Sequence, residues 1–148
     1  MTAACRDSCC SVTPRLTVSE LLERGLRRNR QPALAVEGIA CTDAEGNAAR
    51  FSLDVTDDDR IAKVGFRASP CATLIAYSEL VCELATGARR ELAGGLTSQD
   101  LIAALPGVHP LKQARAVLAL AAFRAALAAI AQPGEGRTRA EEFDKKGE

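Results

Sequence analysis

The sequence predicts an α+β domain in which a three-stranded antiparallel sheet packs against a layer of helices. Three observations predict it. Apolar residues recur at helical spacing over Val18–Arg30, Cys71–Gly87 and Pro110–Ala131. Strand-like runs bounded by turn residues fill the interval from Ala33 to Phe66. These strands are consecutive rather than alternating with helices, which favours a segregated α+β arrangement over a parallel sheet.

The elements follow in order. Residues 1–14 are polar, rich in Ser, Thr and Cys and without periodicity, and are expected to form a flexible arm. The first helix is expected from Val18 to about Arg30, capped by Thr17 or Ser19, with Leu21, Leu22 and Leu26 as a thin apolar stripe. Arg24, Arg27, Arg28 and Arg30 make its other side basic, either a solvated face or a docking surface for an acidic protein. Pro32 stops the helix.

Three strand signals come next: Ala33–Cys41, Arg50–Thr56 and Ile61–Phe66. Asp43–Asn47 supplies the first turn and Asp57-Asp58-Asp59 the second. The Asp triplet lacks the spacing and the glycine of a calcium loop. Ala68-Ser69-Pro70 then breaks the last strand and delivers the chain to Cys71.

The stretch Cys71–Gly87 reads as one helix that opens on a cysteine and closes on a glycine. A thiol in the first turn meets unpaired backbone N–H groups and the positive end of the helix dipole, which stabilise a thiolate. Leu74, Ser78, Val81 and Ala85 form its apolar stripe, widened by Ile75 and Leu84. Cys82 sits about 16 Å up the axis, too far to share an ion with Cys71, and reads as core. A short helix follows over Leu96–Leu105, started by Thr97-Ser98-Gln99-Asp100. The last helix begins near Pro110 and carries Leu120, Phe123, Leu127 and Ile130 at helical spacing to Ala131. Pro133-Gly134 ends it and a flexible charged tail occupies residues 133–148.

Composition narrows the function. The chain has 148 residues, enough for one domain, placed here over residues 15–132. Its 19 basic and 19 acidic residues balance, and aromatics are scarce, so a nucleic-acid partner is not expected. No run of 18 apolar residues and no secretory h-region near Met1 are seen, so the expectation is a cytoplasmic protein with no membrane partner. The six cysteines do not read as a disulfide framework in a chain without export signals. Cys5, Cys9 and Cys10 lack the spacing and the His partners of a zinc site. A conventional enzyme is not expected: no Ser/His/Asp arrangement and no phosphate loop are present, and His109 is the only histidine.

The string C-A-T-L-I-A-Y-S-E-L-V-C-E-L-A-T-G from Cys71 to Gly87 resembles a segment of the NifU/IscU-type iron–sulfur cluster scaffolds, G-C-x-x-x-I-A-S-S-S-x-x-T-E-x-V-x-G. Cys71, Ile75, Ala76, Ser78, Glu83 and Gly87 match in register. Pro110–Ala119 is similar to the family's P-V-K-L-H-C-S-x-L-A, and Cys41-Thr42-Asp43 to its C-G-D. Leu22–Leu34 resembles its first helix. The resemblance implies the NifU N-terminal-like fold, shared with SufE-type proteins. It also implies a role in iron–sulfur cluster assembly, with a cysteine desulfurase and iron–sulfur acceptor proteins as partners.

The family holds a transient [2Fe–2S] cluster or zinc on three cysteines joined by the motif's Asp or His. By resemblance, Cys41, Asp43 and Cys71 are this chain's candidate metal ligands. Arg115 stands where the third cysteine would be, Ala114 replaces the motif histidine, and Lys112 keeps the family's lysine. A few extra residues after Cys41 place that cysteine in a hairpin. A cluster normally needs four good ligands, and His109 is the candidate substitute.

A permanent cation beside Cys71 disfavours a bound metal and favours a thiolate or a persulfide. The resulting expectation is a family member that either accepts sulfur, with Cys71 as its carrier supported by Arg115 and Lys112, or binds iron or zinc weakly through Cys41, Asp43 and Cys71. SufE-type acceptors use a cysteine in the first-motif region, so Cys41 is the competing carrier. The alternatives are a scaffold or zinc-binding form completed by other ligands, and a non-catalytic relative that only binds the assembly machinery.

Overall fold

The computed structural model describes residues 17–131. The expected arm, residues 1–14, and the expected tail, residues 133–148, lie outside them, as do Cys5, Cys9 and Cys10.

Helix α1 spans Val18–Arg28 and is started by a reciprocal capping box. The Glu20 N–H donates to Thr17 Oγ1 and the Thr17 N–H to Glu20 Oε1, both at 3.1 Å, so Thr17 and not Ser19 is the cap. Of the expected stripe, Leu21 is fully buried and Leu26 is exposed. Asn29 ends the helix and bonds across the molecule to Ala68. Its Nδ2 donates to the Ala68 carbonyl at 3.3 Å and its Oδ1 accepts the Ala68 N–H at 2.9 Å.

The sheet has four strand segments where three were expected. β1 (Val36–Glu37) and β2 (Cys41–Thr42) both pair antiparallel with β3 (Ala48–Val55), and β4 (Ile61–Ala68) pairs with β3 along nearly its whole length. β1 and β2 therefore share one edge of β3 and are a single strand broken in the middle. Glu37 faces Ser52 but Cys41 faces Ala49, a register slip of one residue between Gly38 and Cys41. The last helix lies against the strand just before this break, its backbone so close to Gly38 that a β-carbon there would lie 2.5 Å from the Ala126 nitrogen.

Ala49, Phe51 and Leu53 alternate toward the helices and are buried. Phe51 packs against Phe66 of β4 and edge-on against Phe123 of the last helix, with both centroid separations at 5.7 Å. The acidic turn between β3 and β4 is held by ion pairs: Asp58 meets Arg60 at 3.5 Å and Asp59 meets Arg90 at 3.2 Å.

α2 (Ala72–Ala85) is the central helix. It lies between α1, β4 and the last helix, so Leu74 through Cys82 are buried without a break. A stripe was too narrow an expectation, because a helix with neighbours on three sides is buried nearly all round. Leu84, expected on that stripe, is instead exposed. α3 (Arg90–Ala93) and α4 (Ser98–Ala104) follow, the latter with a Thr97–Asp100 capping box. Pro110–Lys112 is a 3-10 turn, and only after it does α5 (Ala114–Ala131) begin.

The stretch Pro110–Ile130 is long and apolar enough to cross a membrane by length and composition. In this fold it is a core element. Ala116, Ala119, Leu120, Ala122, Phe123 and Ala126 are buried, and α5 packs on β3 and α2.

Burying Glu79 on α2 requires a partner, and α1 provides one. Arg28 Nε and Nη2 donate to its two oxygens at 2.6 and 3.1 Å, while Nη1 donates to the Val64 carbonyl at 2.8 Å. Burial pushes the Glu79 carboxyl above its usual value; Arg28 pulls it back and nearby Glu83 pushes it further up. Arg28→Met is therefore expected to destabilise the fold by about 2–4 kcal/mol at pH 8 by leaving a buried carboxylate unpaired. The variant's Glu79 pKa is higher still in the folded state than in the unfolded chain. Its protonated form is tolerated, so stability returns as pH falls toward the unfolded carboxyl range. Urea unfolding at pH 5 and pH 8 reads this directly, and an equal loss at both pH values would contradict it.

Candidate functional site

Three segments meet at Cys71. The first is the end of β4, fixed on one side by Asn29 and on the other by Ser69. Ser69 Oγ accepts the Ala48 N–H at 2.8 Å, and the Ser69 N–H donates to the Ala48 carbonyl at 2.9 Å. This bracket ties the start of β3 to the residues just before Cys71. The Cys71 N–H donates to the Ser69 carbonyl at 2.6 Å, and Cys71 takes the N-cap position of α2 in extended conformation.

The second segment is the β2–β3 hairpin. Asp43 organises its turn: Oδ1 accepts the N–H groups of Glu45 and Asn47, both at 2.9 Å, and Oδ2 accepts Asn47 Nδ2 at 3.1 Å. Gly46 supplies the left-handed residue the turn needs, at φ +89°. Partial burial pushes the Asp43 carboxyl up, but the bonds from Asn47 and Glu45 and the charge of Arg115 outweigh it and hold the carboxyl below its ordinary value.

The third is the first turn of α5, which delivers Arg115. This arginine is only 6% exposed. Its Nη2 donates to Glu45 Oε1 at 2.6 Å and its Nη1 lies 3.7 Å from Asp43 Oδ2. The remaining nitrogen, Nε, is buried with no acceptor among the described residues. The nearby Cys71 thiol and the Glu45 carboxylate raise the guanidinium's own pKa.

Burial pushes the Cys71 thiol up. The Leu74 N–H, the Arg115 guanidinium and the Thr73 N–H together outweigh it and hold the thiol below its ordinary value. The first turn of α2 and the cation on α5 thus act on the same sulfur. Cys82, by contrast, is fully buried and its thiol is pushed well up by burial.

The structure brings together Cys71, Asp43 and Arg115. Cys41 is half-buried on β2; it pairs with Ala49, so its side chain points to the helix side of the sheet. Lys112 is exposed on the 3-10 turn, with no ion pair among the described residues. His109 is not a ligand in waiting: its Nδ1 accepts the Leu111 N–H at 3.0 Å and caps that turn.

The three-ligand set Cys41, Asp43 and Cys71 is not assembled. Among the described residues no three His, Cys, Asp or Glu side chains converge as a metal-holding group. Asp43 spends its oxygens on its own turn, and the Arg115 guanidinium already stands against both Asp43 and Cys71. The donor set suits an anion better than a cation. The basic face of α1 is also partly committed, since Arg24 pairs with Glu83 at 3.0 Å and Arg28 with Glu79. Arg27 and Arg30 remain exposed, with no ion pair among the described residues.

Glu45 is the site residue that sequence reasoning missed. Its signal was present in the extra residues after Cys41: an insertion opposite an added arginine is where a counter-charge should be sought.

The chain belongs to the NifU-like N-terminal domain family, which matches residues 22–133. No curated protein matches it. Among solved structures, it is similar to a candidate iron–sulfur cluster assembly scaffold protein for the SUF system from the thermophile Fervidobacterium islandicum AW-1. That pair shares 15% identity over 72% of this chain and 93% of the other, with a TM-score of 0.53. The N-terminal part of a nitrogen-fixing NifU-like protein from Brucella abortus is also similar, at 18% identity over 78% and 92% of the two chains and a TM-score of 0.53. At these identities the structural likeness speaks for the fold.

Proposed function

We propose that this chain serves iron–sulfur cluster assembly as a sulfur acceptor, with Cys71 receiving sulfur from a cysteine desulfurase and passing it to iron–sulfur acceptor proteins. The observation that carries the reading is the Arg115 guanidinium set beside a thiol at the start of α2. That pairing stabilises an anionic sulfur.

The step balances without any outside electron donor. The Cys71 thiolate attacks the outer sulfur of the desulfurase's cysteine persulfide, and a new S–S bond forms at Cys71. The desulfurase's own S–S bond breaks, and its cysteine leaves as a thiolate with the bonding electron pair. Cys71 then carries a persulfide, whose proton is lost to solvent. Arg115 neutralises the charge that accumulates there, and Asp43 holds the hairpin that keeps Arg115 in place.

Family membership and the scaffold named among its structural neighbours support a place in cluster assembly. The charge of Arg115 favours sulfur transfer over a resident cluster or zinc, so no step is routed through a metal. Cys41, half-buried on the hairpin strand, is the second possible acceptor.

The test is incubation of the full chain with a cysteine desulfurase and cysteine, followed by mass spectrometry of alkylated peptides. The expected result is one added sulfur on the Cys71 peptide, lost in Cys71→Ser. Sulfur on Cys41 alone would move the acceptor to the hairpin. No added sulfur on either would overturn the acceptor reading in favour of a relative that only binds the assembly machinery.

A further inference from the structure

Arg115 is more heavily provided with acidic partners than one thiolate requires, yet its Nε has none. The two acids differ in kind. Asp43 is fixed by three hydrogen bonds within its turn and lies 3.7 Å from the guanidinium. Glu45 makes the short bond, at 2.6 Å, but its side chain is 67% exposed at the hairpin tip. Among the described residues its carboxylate makes no other hydrogen bond or ion pair. Arg115 itself cannot swing out, because it is buried in the first turn of α5. Of the three groups, Glu45 alone is free to leave: its own carboxylate is largely solvated already, so departure returns it to water, and the cost falls on the buried guanidinium, which an incoming anion would offset.

We propose that Arg115 forms an anion subsite for the terminal sulfur of a persulfide carried on Cys71, and that Glu45 is the displaceable latch holding this subsite closed until that sulfur arrives. The inference rests on the reading of Cys71 as a sulfur acceptor and adds what holds the sulfur and what guards it. A persulfide places its charge about 2 Å beyond the cysteine sulfur, one S–S bond further out. Nε and Nη2 share one edge of the guanidinium, so an anion that takes the unpartnered Nε–H also competes for the Nη2 donor that Glu45 holds. When the sulfur binds, Glu45 gives up its bond and returns to water, while Asp43 keeps the arginine in position. With no sulfur present, Glu45 neutralises Arg115 and keeps other anions off it.

The test uses the full chain and a sulfur source that needs no partner protein. Sodium polysulfide, as a hydropolysulfide, loads Cys71 when the thiolate attacks its terminal sulfur: the adjacent S–S bond breaks, Cys71 keeps that one sulfur as a persulfide, and a polysulfide dianion one sulfur shorter leaves. The lifetime of the added sulfur on the Cys71 peptide is then followed by mass spectrometry in thiol-free buffer. Glu45→Gln is expected to lengthen that lifetime about three- to tenfold, the effect of freeing one charge-assisted hydrogen bond at the edge of solvent. Arg115→Gln is expected to shorten it, and the double variant to match Arg115→Gln.

A shorter or unchanged lifetime in Glu45→Gln would overturn the latch, because a purely structural Glu45 would misplace Arg115 when lost. Equal lengthening in the Arg115→Gln background would overturn it too, since that would be a general charge effect. Failure of a desulfurase to load Cys71 would leave these results standing and count only against the acceptor reading.

Discussion

Arg115→Gln is expected to slow alkylation of Cys71 at pH 7 by about three- to tenfold and to move the midpoint of its pH–rate profile upward. Two effects oppose each other. Removing the cation leaves a smaller thiolate fraction near neutrality, which slows the reaction. The thiolate that remains is more basic and a better nucleophile, which returns part of the loss.

The sign follows from the direction of the Cys71 shift. Its thiol lies below the ordinary value in the fold, so the thiolate persists to lower pH than in an unfolded chain. The variant loses that advantage around neutral pH and matches or exceeds the wild type in alkali, where both are fully ionised. Iodoacetamide labelling with peptide mass spectrometry resolves Cys71 from Cys41 in the same sample. An unchanged profile would assign the acidity of Cys71 to the Leu74 and Thr73 amides alone.

Gly38→Ala is expected to cost about 3 kcal/mol or more of folding stability, at the upper end of overpacking effects. A β-carbon at this position would meet the Ala126 nitrogen at 2.5 Å, the Ala126 α-carbon at 2.7 Å and the Ala125 carbonyl carbon at 2.8 Å. All three are backbone atoms of α5, so no side-chain rotation relieves the contact. Gly38 is also held in place by its N–H, which donates to the Phe51 carbonyl at 3.0 Å. Either the edge strand or α5 must shift.

At Gly25 the nearest contact is different in kind, the Ile75 Cγ2 methyl at 2.6 Å, and a rotamer change can relieve part of it. Urea unfolding of both variants would separate the two cases. A loss below about 1 kcal/mol in Gly38→Ala would mean that α5 yields easily.

The sequence made the helices and the meander legible because their signals are local. The capping residues Thr17 and Thr97, the alternation of Phe51, Leu53 and Val55, and the Cys71–Gly87 string each act within one segment. The broken first strand was not legible, because the helix backbone it lies against sits far along the chain at Ala125 and Ala126. The same holds for Glu79, whose burial is acceptable only because Arg28 reaches it from α1.

The site was half legible. Cys71, Asp43 and Arg115 came from the resemblance, and the structure places Arg115 3.7 Å from Asp43 and near enough to Cys71 to act on its thiol. Cys41, Asp43 and Cys71 do not converge as a metal-holding group among the described residues; Arg115 stands beside Asp43, and Asp43 is occupied by its own turn. Lys112 was carried over with the motif, but a residue exposed on a 3-10 turn supplies no contact to the sulfur. Glu45 belongs to an insertion with no counterpart in the motif, so nothing in the matched strings could name it.

Cys71 occupies a position where Ser, Thr, Asp or Asn is preferred, and its sulfur lies near the first-turn amides without forming an ordinary capping hydrogen bond. A serine, threonine or aspartate there would typically strengthen the helix start by about 1 kcal/mol. A helix packed on three sides therefore begins on a turn without an oxygen cap. Its backbone amides are left to the sulfur instead of being closed off by an oxygen cap, and the packing of Leu74 to Cys82 makes that tolerable. Reactivity at this point is set against local rigidity, and the rest of α2 is what permits the exchange.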